Sequence, residues 1–167
     1  GLARVWLAGG VRRLESRILP ESLSARLTRR SGTSFYYAFR ILPREKREAL
    51  YALYAFCRVV DDCVDEPGGG RGAGLDGWLD EARRAFEGTP STDLGHELAA
   101  AVHRYPMPLE CFERIVPGCR QDLENVRFDS FSSLRAYCER VASAVGLASI
   151  EIFGYTDRRA RDYATEL

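Results

Sequence analysis

The chain has 167 residues, 46% hydrophobic and 29% charged, which suits one domain with a sizeable core and is ordinary for a soluble globular protein. Its 24 basic and 24 acidic groups cancel, so the charge balance gives no sign of a nucleic-acid partner. Five cysteines without CxxC spacing argue against a zinc site or a disulfide framework and for a reducing cytosol, and no apolar run approaches the roughly 20 residues of a membrane span.

Residues 1–30 are Arg-rich with scattered apolar positions. Val11, Leu14, Ile18 and Leu19 fit a short amphipathic helix before Pro20, and a second short helix fits Glu21 to Thr28. The default for such a leader is a mobile or outwardly packed segment, although a basic amphipathic stretch also suits peripheral contact with a membrane. VWLAGGV is too short for a signal peptide and is followed by Arg12 and Arg13. Ser31-Gly-Thr-Ser34 is a hydroxyl cluster in which Ser34 can cap a helix over Phe35–Ile41, closed by Pro43. Phe35 and Phe39 lie one turn apart on it.

Arg44 to Glu66, REKREALYALYAFCRVVDDCVDE, reads as one long helix. Tyr54, Arg58, Asp61 and Asp65 fall on one narrow arc, spaced four, three and four apart. The remaining circumference is largely apolar, and a helix apolar nearly all round is usually buried; the charged stripe is therefore expected to face an internal cavity. As bare protein the stripe is unfavourable. Asp61, Asp62, Asp65 and Glu66 crowd a helix end where the macrodipole is already negative, and the Asp61/Asp65 i,i+4 pair costs about 0.2–0.5 kcal/mol even when exposed. Arg58 offsets part of this. A hard divalent cation, Mg²⁺, held by Asp61 and Asp65 with Asp62 as a further candidate ligand, offsets the rest. A solvated acidic helix end is the plain alternative.

Further on, Pro67–Gly77 is a Gly-rich loop without the G-x-x-x-x-G-K-[ST] pattern of a phosphate cradle. Trp78–Glu87 is a short helix. Asp93 can cap a helix bearing Leu94, Leu98, Ala101, Val102 and Tyr105, on which His96 and His103 lack partners for a metal set and read as surface or packing residues. Leu109–Val126 is helical with a kink or break expected at Pro117. Ser130–Ser133 offers caps for a helix over Leu134–Phe153, closed by Gly154. Its small residues, Ala142, Ser143, Ala144, Gly146, Ala148 and Ser149, serve close helix contact or leave room for an apolar chain. Cys57, Cys63 and Cys138 sit at apolar helix positions and read as buried. No strand pattern persists, so the fold class is all-α, a bundle of antiparallel helices.

Two stretches carry a resemblance. Ser31–Glu66, SGTSFYYAFRILPREKREALYALYAFCRVVDDCVDE, and Leu134–Tyr155, LRAYCERVASAVGLASIEIFGY, resemble, in order and spacing, the two signature blocks of the squalene/phytoene synthase family. SFYYAFRILP and the IEIFGY ending resemble most the bacterial hopanoid-pathway presqualene diphosphate synthases. The resemblance implies an isoprenoid-synthase-type helical bundle over residues 31–167, in the cytoplasm, with residues 1–30 as a leader. It implies Mg²⁺-dependent head-to-head condensation of two farnesyl diphosphates, with geranylgeranyl diphosphate and phytoene synthesis as the alternative. Asp61 and Asp65 then hold Mg²⁺, Arg58 and Ser34 help bind diphosphate, and Tyr54 orients it or assists proton transfer. Phe35, Phe39, Val141, Ala142, Val145 and Gly146 line the prenyl cavity. Tyr137 matches a tyrosine near the reacting centre, and Asp122 lies in a segment near the site. Family members carry a second acidic motif facing the first, and none lies between Glu66 and Leu167. The chain, running from Gly1 to Leu167 in a continuing helix pattern, thus reads as the N-terminal, larger part of an enzyme truncated before its C-terminal helices. These residues alone are expected to be inactive or nearly so; a non-catalytic prenyl-binding subunit is the reading from another class.

Overall fold

Helical periodicity is realised among the described residues. The computed structural model describes residues 21–65, 74–123 and 127–166, and among these there is no strand. The order is α1 (Leu23–Arg30), α2 (Phe35–Phe39), α3 (Arg44–Asp65), α4 (Leu75–Glu87), α5 (Asp93–Arg104), α6 (Leu109–Asp122), α7 (Phe131–Cys138), a π-helical turn (Glu139–Ser143), α8 (Ala144–Phe153) and α9 (Arg159–Glu166). The first helix expected from sequence, before Pro20, lies outside the described residues.

α3 is the element the others pack on: α1, α2, α4, α5, α6 and α8 all touch it. The reason is in its sequence. Ala49, Leu50, Ala52, Leu53, Ala55, Phe56 and Val60 are buried and leave little polar face. Phe56 meets Phe112 of α6 edge-on at 5.1 Å and Trp78 of α4 at 6.3 Å, and Phe86 of α4 closes on Phe112 at 5.4 Å. Burying an aromatic of this kind contributes about 1.5–3 kcal/mol, so this cluster fixes α3 against α4 and α6.

Two carboxylates fasten helix starts. Glu97 of α5 accepts from the backbone N–H groups of Leu23 and Ser24 at 2.8 and 3.0 Å, satisfying the open donors of α1. Glu81 of α4 is buried beneath the start of α5. It accepts from the N–H groups of Ser91 and Thr92, both at 2.8 Å, and from their hydroxyls at 2.5 and 2.9 Å. A Cβ at Gly95 would stand 1.8 Å from Glu81 Oε1, so only glycine fits there.

Several boundaries differ from the sequence reading. α4 starts at Leu75 and not at Trp78, because Leu75 is drawn fully into the core after a turn at Gly74 with φ 96°. Thr92, not Asp93, caps α5, accepting from Gly95 N at 2.9 Å. Ser34 stands before α2 but makes no cap bond, since its backbone is already helical where a cap needs an extended one. α6 runs unbroken through Pro117; that proline is exposed, where water can satisfy a carbonyl left without a donor. The helix expected over Leu134–Phe153 begins at Phe131, capped by Ser130 in a reciprocal box with Ser133, and is interrupted by the π-turn. There the missing side chain of Gly118 lets α6 close on Val141, whose Cγ1 would lie 2.5 Å from a Cβ at that position. Cys138 is exposed and not buried as expected, while Cys57 and Cys63 are half-buried and Cys111 and Cys119 buried. Among the described residues no helix is long and apolar enough to cross a membrane.

Candidate active site

α3 delivers Tyr54, Arg58, Asp61 and Asp65 in the expected order, but the end of the stripe is open. Asp61 and Asp65 are exposed, and Arg58 is 41% exposed at its side chain. The expectation of a stripe facing an enclosed cavity therefore fails among the described residues. The apolar circumference that suggested full burial ends at Val60, and the last turn of α3 carries the acids beyond it.

Arg58 does not neutralise Asp61 or Asp65 directly. It pairs with Asp62 at 2.5 Å, an i,i+4 contact, and leaves the other two carboxylates without an ion pair among the described residues. Desolvation on the protein side, then the Asp65 charge, raises the Asp61 carboxyl above its ordinary value. Arg58 pulls the other way, and Asp122 and Asp62 push it further up. The like-charge crowding inferred from sequence is thus present, and Asp122 at the end of α6 joins it.

Beneath the acids lie two thiols. Burial, then Cys119 and Asp61, pushes Cys57 up to about 12. Burial, then Asp61 and Asp122, pushes Cys119 up to about 12 as well. Both remain neutral thiols at neutral pH, an apolar floor under an acidic rim. On the α7 side, burial, then a hydrogen bond to Asp122 and that residue's charge, pushes the Tyr137 phenol up to about 12. Phe128 packs against the same ring at 5.1 Å. Asp122 and Tyr137 therefore belong to the group around Asp61.

The hydroxyl end is built around Tyr54. Its phenol is 3.0 Å from the hydroxyl of Ser31, which in turn donates to the Thr28 carbonyl at 2.7 Å. Ser31 was not singled out in its cluster; Gly32, with φ 68°, turns the chain so that the residue before it meets α3. Ser34 is exposed, and its hydroxyl takes no part in capping α2. Phe35 stacks on Phe39 at 5.8 Å and tilts against Tyr54 at 5.9 Å, so these aromatics wall the tyrosine side.

The small-residue helix is split in its roles. Val141 packs on α6 at Gly118, Ala142 is exposed and Val145 packs against the core. Gly146 serves helix contact: a Cβ there would stand 3.1 Å from the Ala164 carbonyl of α9. His96 and His103 are exposed, with His103 Nε2 3.2 Å from the Phe86 carbonyl.

Among the described residues no three His, Cys, Asp or Glu side chains gather as a complete metal set. Asp61 and Asp65 supply one wall of hard oxygen donors. That donor chemistry fits Mg²⁺, which binds one or two carboxylates and fills its remaining positions with water and substrate phosphate oxygens. Asp62 is engaged by Arg58 and is the poorer ligand.

The model of the squalene/phytoene synthase family matches residues 28–167. A presqualene diphosphate synthase of Rhodopseudomonas palustris is 40% identical over 126 residues, covering 74% of this chain and 45% of that protein. A 15-cis-phytoene synthase of Synechococcus elongatus is 35% identical over 137 residues, covering 81% and 44%. The crystal structure of squalene synthase HpnC from Alicyclobacillus acidocaldarius matches with TM-score 0.77 at 35% identity, covering 85% of this chain and 54% of that one. The chain thus spans about half the length of the curated relatives it matches.

Proposed function

The chain belongs to the squalene/phytoene synthase family, and we propose that it forms the first acidic wall of an enzyme that condenses two farnesyl diphosphates head to head, giving presqualene diphosphate or squalene. The observation that carries this is the pair Asp61 and Asp65, held apart from Arg58 by the Arg58–Asp62 bridge at 2.5 Å and so left open to a cation.

Mg²⁺ bound there would supply positive charge to the leaving diphosphate. The chain's own residues do the rest. Arg58 and Ser34 hold the diphosphate. Tyr54, oriented by Ser31 at 3.0 Å, positions an oxygen or relays a proton. Tyr137, with its phenol raised to about 12, remains protonated and donates without ionising. Phe35 and Phe39, together with whatever faces of Val141, Ala142 and Val145 their helix contacts leave free, keep water from an allylic cation. Gly146 belongs to the α8–α9 contact. The second acidic motif of the family is absent from these 167 residues, so they bind diphosphate on one side and turn over slowly or not at all. A cytoplasmic, membrane-peripheral location suits apolar products.

A longer substrate is the second reading. The 35% identity to a phytoene synthase favours geranylgeranyl diphosphate. Mass spectrometry of products from each substrate with Mg²⁺ separates the two, and calorimetry tests the site. Mg²⁺-dependent binding of a non-hydrolysable farnesyl thiodiphosphate that disappears in Asp61→Ala supports the proposal. Binding that is indifferent to Mg²⁺ and to Asp61 overturns it.

A further inference from the structure

The last carbonyls of a helix lack backbone donors, and at the end of α1 a side chain fills the gap. The Ser31 N–H reaches the Leu27 carbonyl at 3.1 Å. The Gly32 N–H, turned by a φ of 68°, reaches the Arg29 carbonyl at 3.2 Å. Neither serves the Thr28 carbonyl between them. Ser31 Oγ does, donating to it at 2.7 Å. A serine hydroxyl has one proton and two lone pairs. With that proton spent, Ser31 Oγ is an acceptor to any further neighbour. The neighbour is the Tyr54 hydroxyl, 3.0 Å away. The distance between the two oxygens allows either sense, but the proton count leaves Tyr54 as the donor.

Both partners are held in place. Thr28 is fully buried, and its own hydroxyl donates to the Ser24 carbonyl at 2.8 Å. Glu97 of α5 holds the start of α1, and Arg29 in its last turn pairs with Glu21 at 3.0 Å. Tyr54 is half-buried on α3, with the Phe35 ring tilted against its own at 5.9 Å. The contact is therefore set before any ligand arrives.

A phenol whose one proton is engaged can only accept. Diphosphate oxygens are acceptors too, so Tyr54 in this state has nothing to donate to them. Nor does the path from Tyr54 through Ser31 carry a proton away. It ends on the Thr28 carbonyl, and a backbone carbonyl does not hold a proton at neutral pH. Of the two roles open to Tyr54, orienting a group and relaying a proton, this leaves the first.

We propose that Ser31 is a positioning residue that fixes the direction of the Tyr54 proton, so that Tyr54 meets the substrate as an acceptor, against a hydrogen-bond donor or developing positive charge and not against a diphosphate oxygen. The direction of the proton stands on the hydrogen bonds alone. Its bearing on the substrate rests on the proposed function.

The test uses the 167-residue chain with its tyrosines isotope-labelled at the phenol carbon. The infrared difference between parent and Tyr54→Phe isolates the Tyr54 C–O stretch, which rises in frequency when the hydroxyl donates and falls when it accepts. The parent band is expected on the donor side. In Ser31→Ala it should move toward that of a water-bonded phenol, and Ser31→Thr, which keeps the hydroxyl, should restore it. Calorimetry gives a second readout. Ser31→Ala releases the phenol proton, so Mg²⁺-dependent binding of farnesyl thiodiphosphate should tighten about two- to tenfold. The gain should vanish in Ser31→Ala/Tyr54→Phe. A serine with a merely structural role would give weaker binding instead. Circular dichroism checks that each variant is folded, which the exposed position of Ser31 favours. The proposal is overturned by a parent band on the acceptor side, by a band that Ser31→Ala leaves in place, or by Ser31→Ala binding no tighter than the parent. Failure of the catalytic proposal looks different: the parent then binds thiodiphosphate without regard to Mg²⁺ or Asp61, and the infrared band still decides the direction of the Tyr54 proton.

Discussion

Replacing Glu81 by Gln removes one buried charge and keeps the shape of the side chain. Two routes give the size of the effect. Burial alone would raise the Glu81 carboxyl, but the hydrogen bonds from Ser91 and Thr92 outweigh it and hold it at about 2, against 4.5 for a free glutamate. At 1.36 kcal/mol per pKa unit, that difference stabilises the folded chain by about 3 kcal/mol at neutral pH. Independently, the amide places an N–H₂ against donors that need acceptors, and charge-assisted bonds of this kind are worth about 1.5–3 kcal/mol each. Because the folded value is depressed, the stability is present above the unfolded value near 4.5 and is lost as pH falls through about 2. Urea unfolding of parent and Glu81→Gln should therefore differ by about 3 kcal/mol at pH 7, a drop in Tm of about 6–12 °C for a chain of this size. The gap should shrink to less than half by about pH 3. A gap independent of pH, or one within about 0.5 kcal/mol at neutral pH, would refute the reasoning.

Asp61→Asn should raise the stability of the metal-free protein by a few tenths of a kcal/mol, by relieving repulsion from Asp65, while abolishing Mg²⁺-dependent thiodiphosphate binding; thermal melts and calorimetry read the two. Gly118→Ala should destabilise by about 1–3 kcal/mol, since its Cβ meets Val141 Cγ1 at 2.5 Å, and Val141→Ala should restore much of the loss in a denaturant double-mutant cycle. Burial is the larger cause of the high Tyr137 value of about 12, but Asp122 also raises it, so Asp122→Asn should lower the pH at which tyrosinate absorbance appears.

Most of the architecture is legible in apolar spacing. Tyr54, Arg58, Asp61 and Asp65 share an arc because 3.6 residues per turn require it, and α3 becomes the packing centre because almost every other position on it is apolar. Local choices settled by distant residues are not legible in this way. Thr92 and not Asp93 caps α5 because Glu81, eleven residues earlier, already holds the Thr92 N–H and hydroxyl. The π-turn depends on Gly118 admitting Val141, a contact between two helices that neither announces alone. In the site, Arg58 had two acidic neighbours one turn on, Asp61 and Asp62, and spacing does not choose between i+3 and i+4; side-chain geometry chose Asp62. The Ser31–Tyr54 contact depends on the turn at Gly32 and was hidden for the same reason.

The charges on α3 run with its peptide dipole and not against it. Arg44, Lys46 and Arg47 stand at the positive start, partly offset by Glu45 and Glu48, and Asp61, Asp62 and Asp65 stand at the negative end, the reverse of what steadies an isolated helix. Packing holds the rod together regardless, and the result is a molecule with a permanent electrical head and tail. Arg47 and Asp61 are fourteen residues apart, or about 21 Å along the axis, more than two screening lengths at physiological salt. Each end can thus titrate or be edited without retuning the other. In any external field, a charged surface included, the rod experiences a torque that turns its arginines forward and its carboxylates away.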